Sequence, residues 1–90
     1  MIDFTPIKKT GLKMSGELEQ IFGVSRIMIQ GYLSGRVQPR GRRARRIQEA
    51  VRVLDGLVQS GKLPLPKEKT KAQREMAVSK IVAYINSKLQ

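Results

Sequence analysis

Seven carboxylates run along the 90-residue chain, at Asp3, Glu17, Glu19, Glu49, Asp55, Glu68 and Glu75, and their spacing shows no acid–base pair. There is no cysteine and no histidine. Thiol and imidazole nucleophiles, thiolate zinc sites, disulfides and imidazole proton transfer are therefore unavailable. Gly11, Gly16, Gly23 and Gly31 form neither of the glycine-rich phosphate loops, GxGxxG or GxxxxGK[ST]. These residue types point away from an enzyme and away from a metal, a cofactor or a small-molecule ligand.

The chemistry on offer is cationic. "GRVQPRGRRARR", Gly35 to Arg46, holds six arginines and no acid, and the formal net charge of the chain is +11. The charge is uneven, at +1 over residues 1–35, +6 over 36–66 and +4 over 67–90. Such a balance implies a polyanionic partner, either nucleic acid or an anionic membrane surface. No apolar run approaches the roughly 18 to 20 residues of a membrane span, and the first residues lack the charged-then-apolar order of a signal sequence. A cytoplasmic protein with no membrane association is expected.

Aromatics are scarce, and Leu, Ile, Val, Ala and Met carry the apolar load. The expected fold is all-α, with four to five helices around one modest core. Thr5 and Pro6 read as the cap and first position of a short helix stopped by Gly11. "SGELEQIFG" spaces Leu18, Ile21 and Phe22 as one face of a helix that ends at Gly23. Ser25 caps a second helix, "RIMIQGYL", with Ile29, Tyr32 and Leu33 turned inward, and Ser34-Gly35 stops it. A longer helix over about 42 to 59 carries Ala44, Ile47, Val51, Leu54 and Val58 at three- and four-residue steps.

"KLPLP" cannot continue that helix, because Pro64 and Pro66 force the residues before them into extended backbone. Thr70 and Gln73 form a capping box that opens an amphipathic C-terminal helix. The organisation expected is thus a domain over 1–61, a stiff linker over 62–69 and a C-terminal helix over 70–90. The basic residues of the last segments, Lys67, Lys69, Lys71, Arg74, Lys80 and Lys88, read most simply as a solvated face.

Two short helices joined through a glycine turn are a helix-turn-helix arrangement. The string "LEQIFGVSRIMIQGYLSGRVQP" resembles the lambda-repressor and Cro-like family of transcriptional regulators over roughly Gly11 to Val58. The resemblance rests on Leu18 and Phe22, the turn of Gly23, Val24 and Ser25, then Ile29 and Tyr32, and the trailing Ser34, Gly35, Arg36 and Pro39. The chain departs from the pattern at Glu19, where the family carries a small residue facing the second helix. A glutamate there is expected to pair with a nearby arginine or to open the crossing angle. Ser15 stands where the family often has a phosphate-contacting glutamine.

The resemblance implies double-stranded DNA as partner, with the second helix in the major groove. Base contacts then fall to Ser25, Arg26, Ile27, Gln30 and Ser34. Arg26 suits a guanine, Gln30 an adenine and Ile27 a thymine methyl, although Ile27 is equally readable as core, and Met28 reads as core. Phosphate contacts fall to Ser15, Arg36, Arg40, Arg42, Arg43, Arg45 and Arg46. Gly31, inside the helix, marks either a close approach of the DNA backbone or of another helix, or a tolerated defect.

Family members act as homodimers on inverted half-sites, so the stripe Val78, Ile81, Val82, Ile85 and Leu89 is expected to pair with a second subunit rather than pack back on its own domain. The output expected is that of a small bacterial or phage repressor. Two competitors stay open: a nonspecific architectural or replication-associated DNA binder, and a protein-binding inhibitor built on the same scaffold.

Overall fold

The computed structural model describes residues 2–66 and 68–89; Met1, Lys67 and Gln90, counted above in the domain, the linker and the last helix, lie outside them. Among the described residues the chain is all-helical, with no strand. A 3₁₀ turn spans Thr5–Lys9 and a wide irregular turn Met14–Leu18, followed by helices α1 (Glu19–Phe22), α2 (Arg26–Leu33), α3 (Gly41–Gln59) and α4 (Lys71–Leu89). None of the helices is long and apolar enough to cross a membrane.

Thr5 is the first residue of the N-terminal turn and not its cap, which is Phe4; the side-chain bonds at its start come from Asp3. The Asp3 carboxylate accepts from the Thr5 backbone N–H at 2.9 Å and from its hydroxyl at 2.6 Å, and these bonds hold the Asp3 carboxyl below its ordinary range. Pro6 occupies the first turn, where a missing N–H is harmless. This segment delivers Phe4 to the core. Its ring stacks on Tyr32 of α2 at 5.6 Å and meets the Phe22 edge of α1 at 6.4 Å.

The helix expected from Ser15 is regular only from Glu19. Ser15 is extended and Gly16 has φ 86°, so the turn is held by side chains instead. Glu17 accepts from Lys13 N–H at 2.7 Å and Glu19 from Gly16 N–H at 2.8 Å. Leu18 nonetheless reaches the core, and with Ile21, Phe22, Ile29, Tyr32, Ile47 and Leu54 it forms the buried centre of the molecule.

The apolar stripe of α4 is spent inside the chain. Val78, Ile81 and Ile85 are 1%, 9% and 0% exposed, and Val82 and Leu89 pack half-buried beside them. The expectation that these five meet a second subunit is therefore corrected: they close the core against α1 and α3. The physical reason lies in the connecting segment. Lys62 and Leu63 N–H groups both donate to Leu57 O, at 2.9 and 3.2 Å, which folds the chain back over the end of α3. Leu63 is buried and Leu65 half-buried. The proline segment lays α4 onto the core and does not hold it away.

The start of α4 forms as its sequence dictates. Thr70 N–H donates to Gln73 Oε1 at 2.9 Å, and Gln73 N–H donates to Thr70 Oγ1 at 3.2 Å. One turn on, Arg74 grips Glu17 with two parallel bonds of 2.9 and 2.8 Å and reaches Gly11 O at 3.3 Å. Both side chains are largely covered, at 21% and 14% exposure. Arg74 is thus a docking residue and not part of a solvated face.

The Arg74 guanidinium, followed by the Lys13 N–H, holds the Glu17 carboxyl below the ordinary glutamate range. A lowered folded value stabilises the fold fully above the unfolded pKa, and that contribution is lost as the pH falls through the folded one. Urea unfolding is expected to show a stability loss between pH 7 and about pH 3 that shrinks in Glu17→Gln. An unchanged acid sensitivity in that variant would remove the pair from the account.

Candidate nucleic-acid interface

The corner between α1 and α2 uses three residues. Gly23 has φ 72°, and its N–H donates to Glu19 O at 2.8 Å. A side chain there would be strained by the left-handed backbone, and its Cβ would also lie 3.0 Å from Arg46 Nε. Val24 packs half-buried against the core. Ser25, extended, caps α2 by accepting from Met28 N–H at 3.4 Å.

Glu19 completes the corner. Its second oxygen accepts from Arg26 N–H, the first of α2, at 3.1 Å. The sequence pointed to a nearby arginine or an opened crossing angle, and the observed partner is the backbone of Arg26. A carboxylate at this place satisfies an orphan donor and complements the positive end of the α2 dipole. That is a physical reason for glutamate at this position.

These caps set which face of α2 is free. Ile29 and Tyr32 are buried, whereas Arg26, Ile27 and Gln30 are exposed. Ile27, at 67% exposure, is not a core residue. Ser25 and Ser34 are exposed too, but their hydroxyls are already engaged: Ser25 in the cap, and Ser34 donating to Gly31 O at 3.1 Å while accepting from Arg36 N–H at 3.4 Å. Gly31 is explained by the chain itself. A Cβ there would lie 3.1 Å from Val37 Cγ2, so glycine lets the following loop close on α2.

That loop brings the arginines to α2. Arg36, Arg40 and Arg43 line one open cleft with Met28, Tyr32 and Gln38. Arg42 and Arg45, three apart on α3, share an exposed face. Among the described residues none of these five, nor Arg26, has an ion pair or a side-chain hydrogen bond within the chain. The first turn of α3 contains no acid and its cap residue, Arg40, makes no capping bond. The free N–H groups and the positive dipole end therefore add to the field of the guanidinium groups.

Arg46 is different, and its expected phosphate contact is corrected. Its guanidinium donates to Asn86 Oδ1 of α4 at 2.6 Å and to Ile21 O of α1 at 3.3 Å, while Nε is buried without a partner. A cation at the C-terminal end of α1 meets the negative end of that helix, so Arg46 clamps α3 to α1 and α4. Ser15 sits exposed in the turn before α1, with no side-chain bond. Two lining groups went unread in the sequence. Lys8 is carried by the N-terminal turn into a cleft with Ser34, Gly35 and Gln38, and Gln38 also borders the arginine cleft. Both depend on irregular backbone, which has no periodicity to read.

The chain matches no protein-family model, no curated protein and no solved structure.

Replacing Glu19 by alanine removes the acceptor of two backbone N–H groups and is expected to destabilise the fold by about 1 to 2 kcal/mol. Hydrogen exchange at Gly16 and Arg26 should quicken more than exchange in α3. Equal acceleration throughout would mean that Glu19 does not act at the corner.

Proposed function

We propose that this chain is a sequence-specific, double-stranded DNA-binding transcriptional regulator of helix-turn-helix type, with α2 as the recognition helix. The observation that carries the reading is a set of six exposed arginines without intramolecular partners among the described residues, of which Arg26 lies on the capped helix α2 and Arg36, Arg40 and Arg43 line a cleft with Met28 and Tyr32 of that helix. Arginine suits phosphate because its planar fork donates two bonds and stays charged.

In this reading Arg36, Arg40, Arg42, Arg43 and Arg45 meet phosphates and release counterions, which gives affinity without selecting sequence. Selection belongs to Arg26 toward guanine, Gln30 toward adenine and Ile27 toward a thymine methyl. Ser25 and Ser34 contribute as their caps allow. Occupying a promoter is sufficient for repression, the output assigned here, in a bacterial or phage-infected cell. Homodimeric action on an inverted repeat, with half-sites about 34 Å apart, requires subunits to meet through a surface other than the stripe that closes the core.

Binding of a random-sequence duplex pool, titrated with salt, tests the assignment of roles. Each lost phosphate contact should reduce the slope of log affinity against log salt by about 0.9. Arg42→Ala/Arg43→Ala is therefore expected to flatten it by nearly two units, and Arg46→Ala to lower thermal stability instead. Arg26→Ala/Gln30→Ala should leave nonspecific affinity within about twofold while abolishing any preferred sequence. Slopes unaffected by the first pair would contradict the phosphate assignment, retained preference in the second would take base reading away from Arg26 and Gln30, and absence of any preference in the unsubstituted chain would leave only a nonspecific binder.

A further inference from the structure

The second half of α3, the segment after it and α4 enclose an open groove of about 770 Å³ that shares no residue with the arginine cleft. Its floor is apolar, made by Val53, Leu57, Leu65, Ala77, Ile81 and Tyr84. Its rim is basic. Arg52, Lys62, Lys80 and Lys88 stand around it, and its one acid, Glu49, is already paired with Arg52 at 2.8 Å. Tyr84 is 52% exposed, with Lys88 Nζ 5.4 Å from its ring centre. Met76, 62% exposed, lies one turn before Lys80 on the same helix.

Gly56, in the last turn of α3, lines the groove. A Cβ built on it meets nothing within 4 Å, and its backbone is not left-handed. Neither packing nor conformation within the chain calls for a glycine there, although glycine is among the poorest helix formers. The missing side chain deepens the groove.

We propose that this groove docks an amphipathic acidic helix of a partner protein. Leucine-like side chains at helical spacing would seat on the floor, and flanking carboxylates would meet Lys62, Lys80 and Lys88. A second copy of this chain is disfavoured, because a protein of net charge +11 would set cations against this rim. Nucleic acid would find the cations but leave the apolar floor unused. An anionic lipid surface is better met by a protruding apolar face than by a recessed one. The inference stands independently of the DNA reading.

The test uses the full chain, isotopically labelled, and a synthetic helix of about 18 residues with leucines at i, i+3, i+4 and i+7 and glutamates elsewhere. Its binding should move the amide signals of Val53, Gly56, Leu57, Ala77 and Tyr84, with a Kd of about 10 to 100 µM. Lys80→Glu/Lys88→Glu and the groove-filling Gly56→Leu should each weaken it about tenfold or more, with the amide spectrum away from the groove unchanged. A scrambled peptide that binds equally well would reduce the effect to bulk charge and overturn the proposal. It would equally be overturned by shifts confined to Arg36–Arg45, by self-association through the groove residues, by anionic phospholipid vesicles occupying them in place of the peptide, or by no binding up to about 1 mM.

Discussion

A chain that reverses between two helices in three residues leaves the first N–H groups of the second helix without intrahelical partners, and the rest of this structure depends on how they are satisfied. Ser25 takes one and the Glu19 carboxylate another, while Gly23 supplies the left-handed backbone. Because Glu19 also holds Gly16, one side chain ties the start of α1 to the start of α2. The exposed face of α2 is presented in a fixed direction by bonds that its own eight residues could not make.

Behind the corner, Arg46 bonds the end of α1 and Asn86 of α4, and the Phe4 ring locks against Phe22 and Tyr32. These contacts come from segments distant in sequence, yet all bear on α1 and α2. The arginine-rich stretch is therefore divided in its work. One member is an internal clamp, and among the described residues the remaining five have no carboxylate partner: Arg36 in the loop after α2, and Arg40, Arg42, Arg43 and Arg45 at the start of α3, where the helix dipole reinforces their field. A basic tail could carry the same charge, but it could not place it beside a particular helix face.

The helices themselves were legible because their signals are local: apolar spacing gave α3 and α4, the Ser25 cap opened α2, and the Thr70–Gln73 box opened α4. What was not legible was tertiary. The sequence shows that the α4 stripe must be covered but is silent on what covers it, and the bond from Lys62 and Leu63 back to Leu57 decided for the chain's own core. Nothing in "GRRARR" distinguishes Arg46 from its neighbours; only the nearby end of α1 and Asn86 do. Gly31 was readable as a close approach of DNA or of another helix or as a tolerated defect, and the group that needs the space is Val37 of the following loop. Of the five residues assigned to base contacts, the structure leaves Arg26, Ile27 and Gln30 unencumbered and gives Ser25 and Ser34 local bonds.

The central claim is that the capped α2 reads sequence while the arginines supply affinity. Selection of the purified chain against random duplex DNA at about 150 mM salt, where backbone attraction is partly screened, tests it most directly. The account predicts enrichment of a common short site, lost when Arg26 and Gln30 are replaced, with an inverted repeat if two copies bind together. Recovery of DNA without a shared sequence, or of none at all, would contradict it.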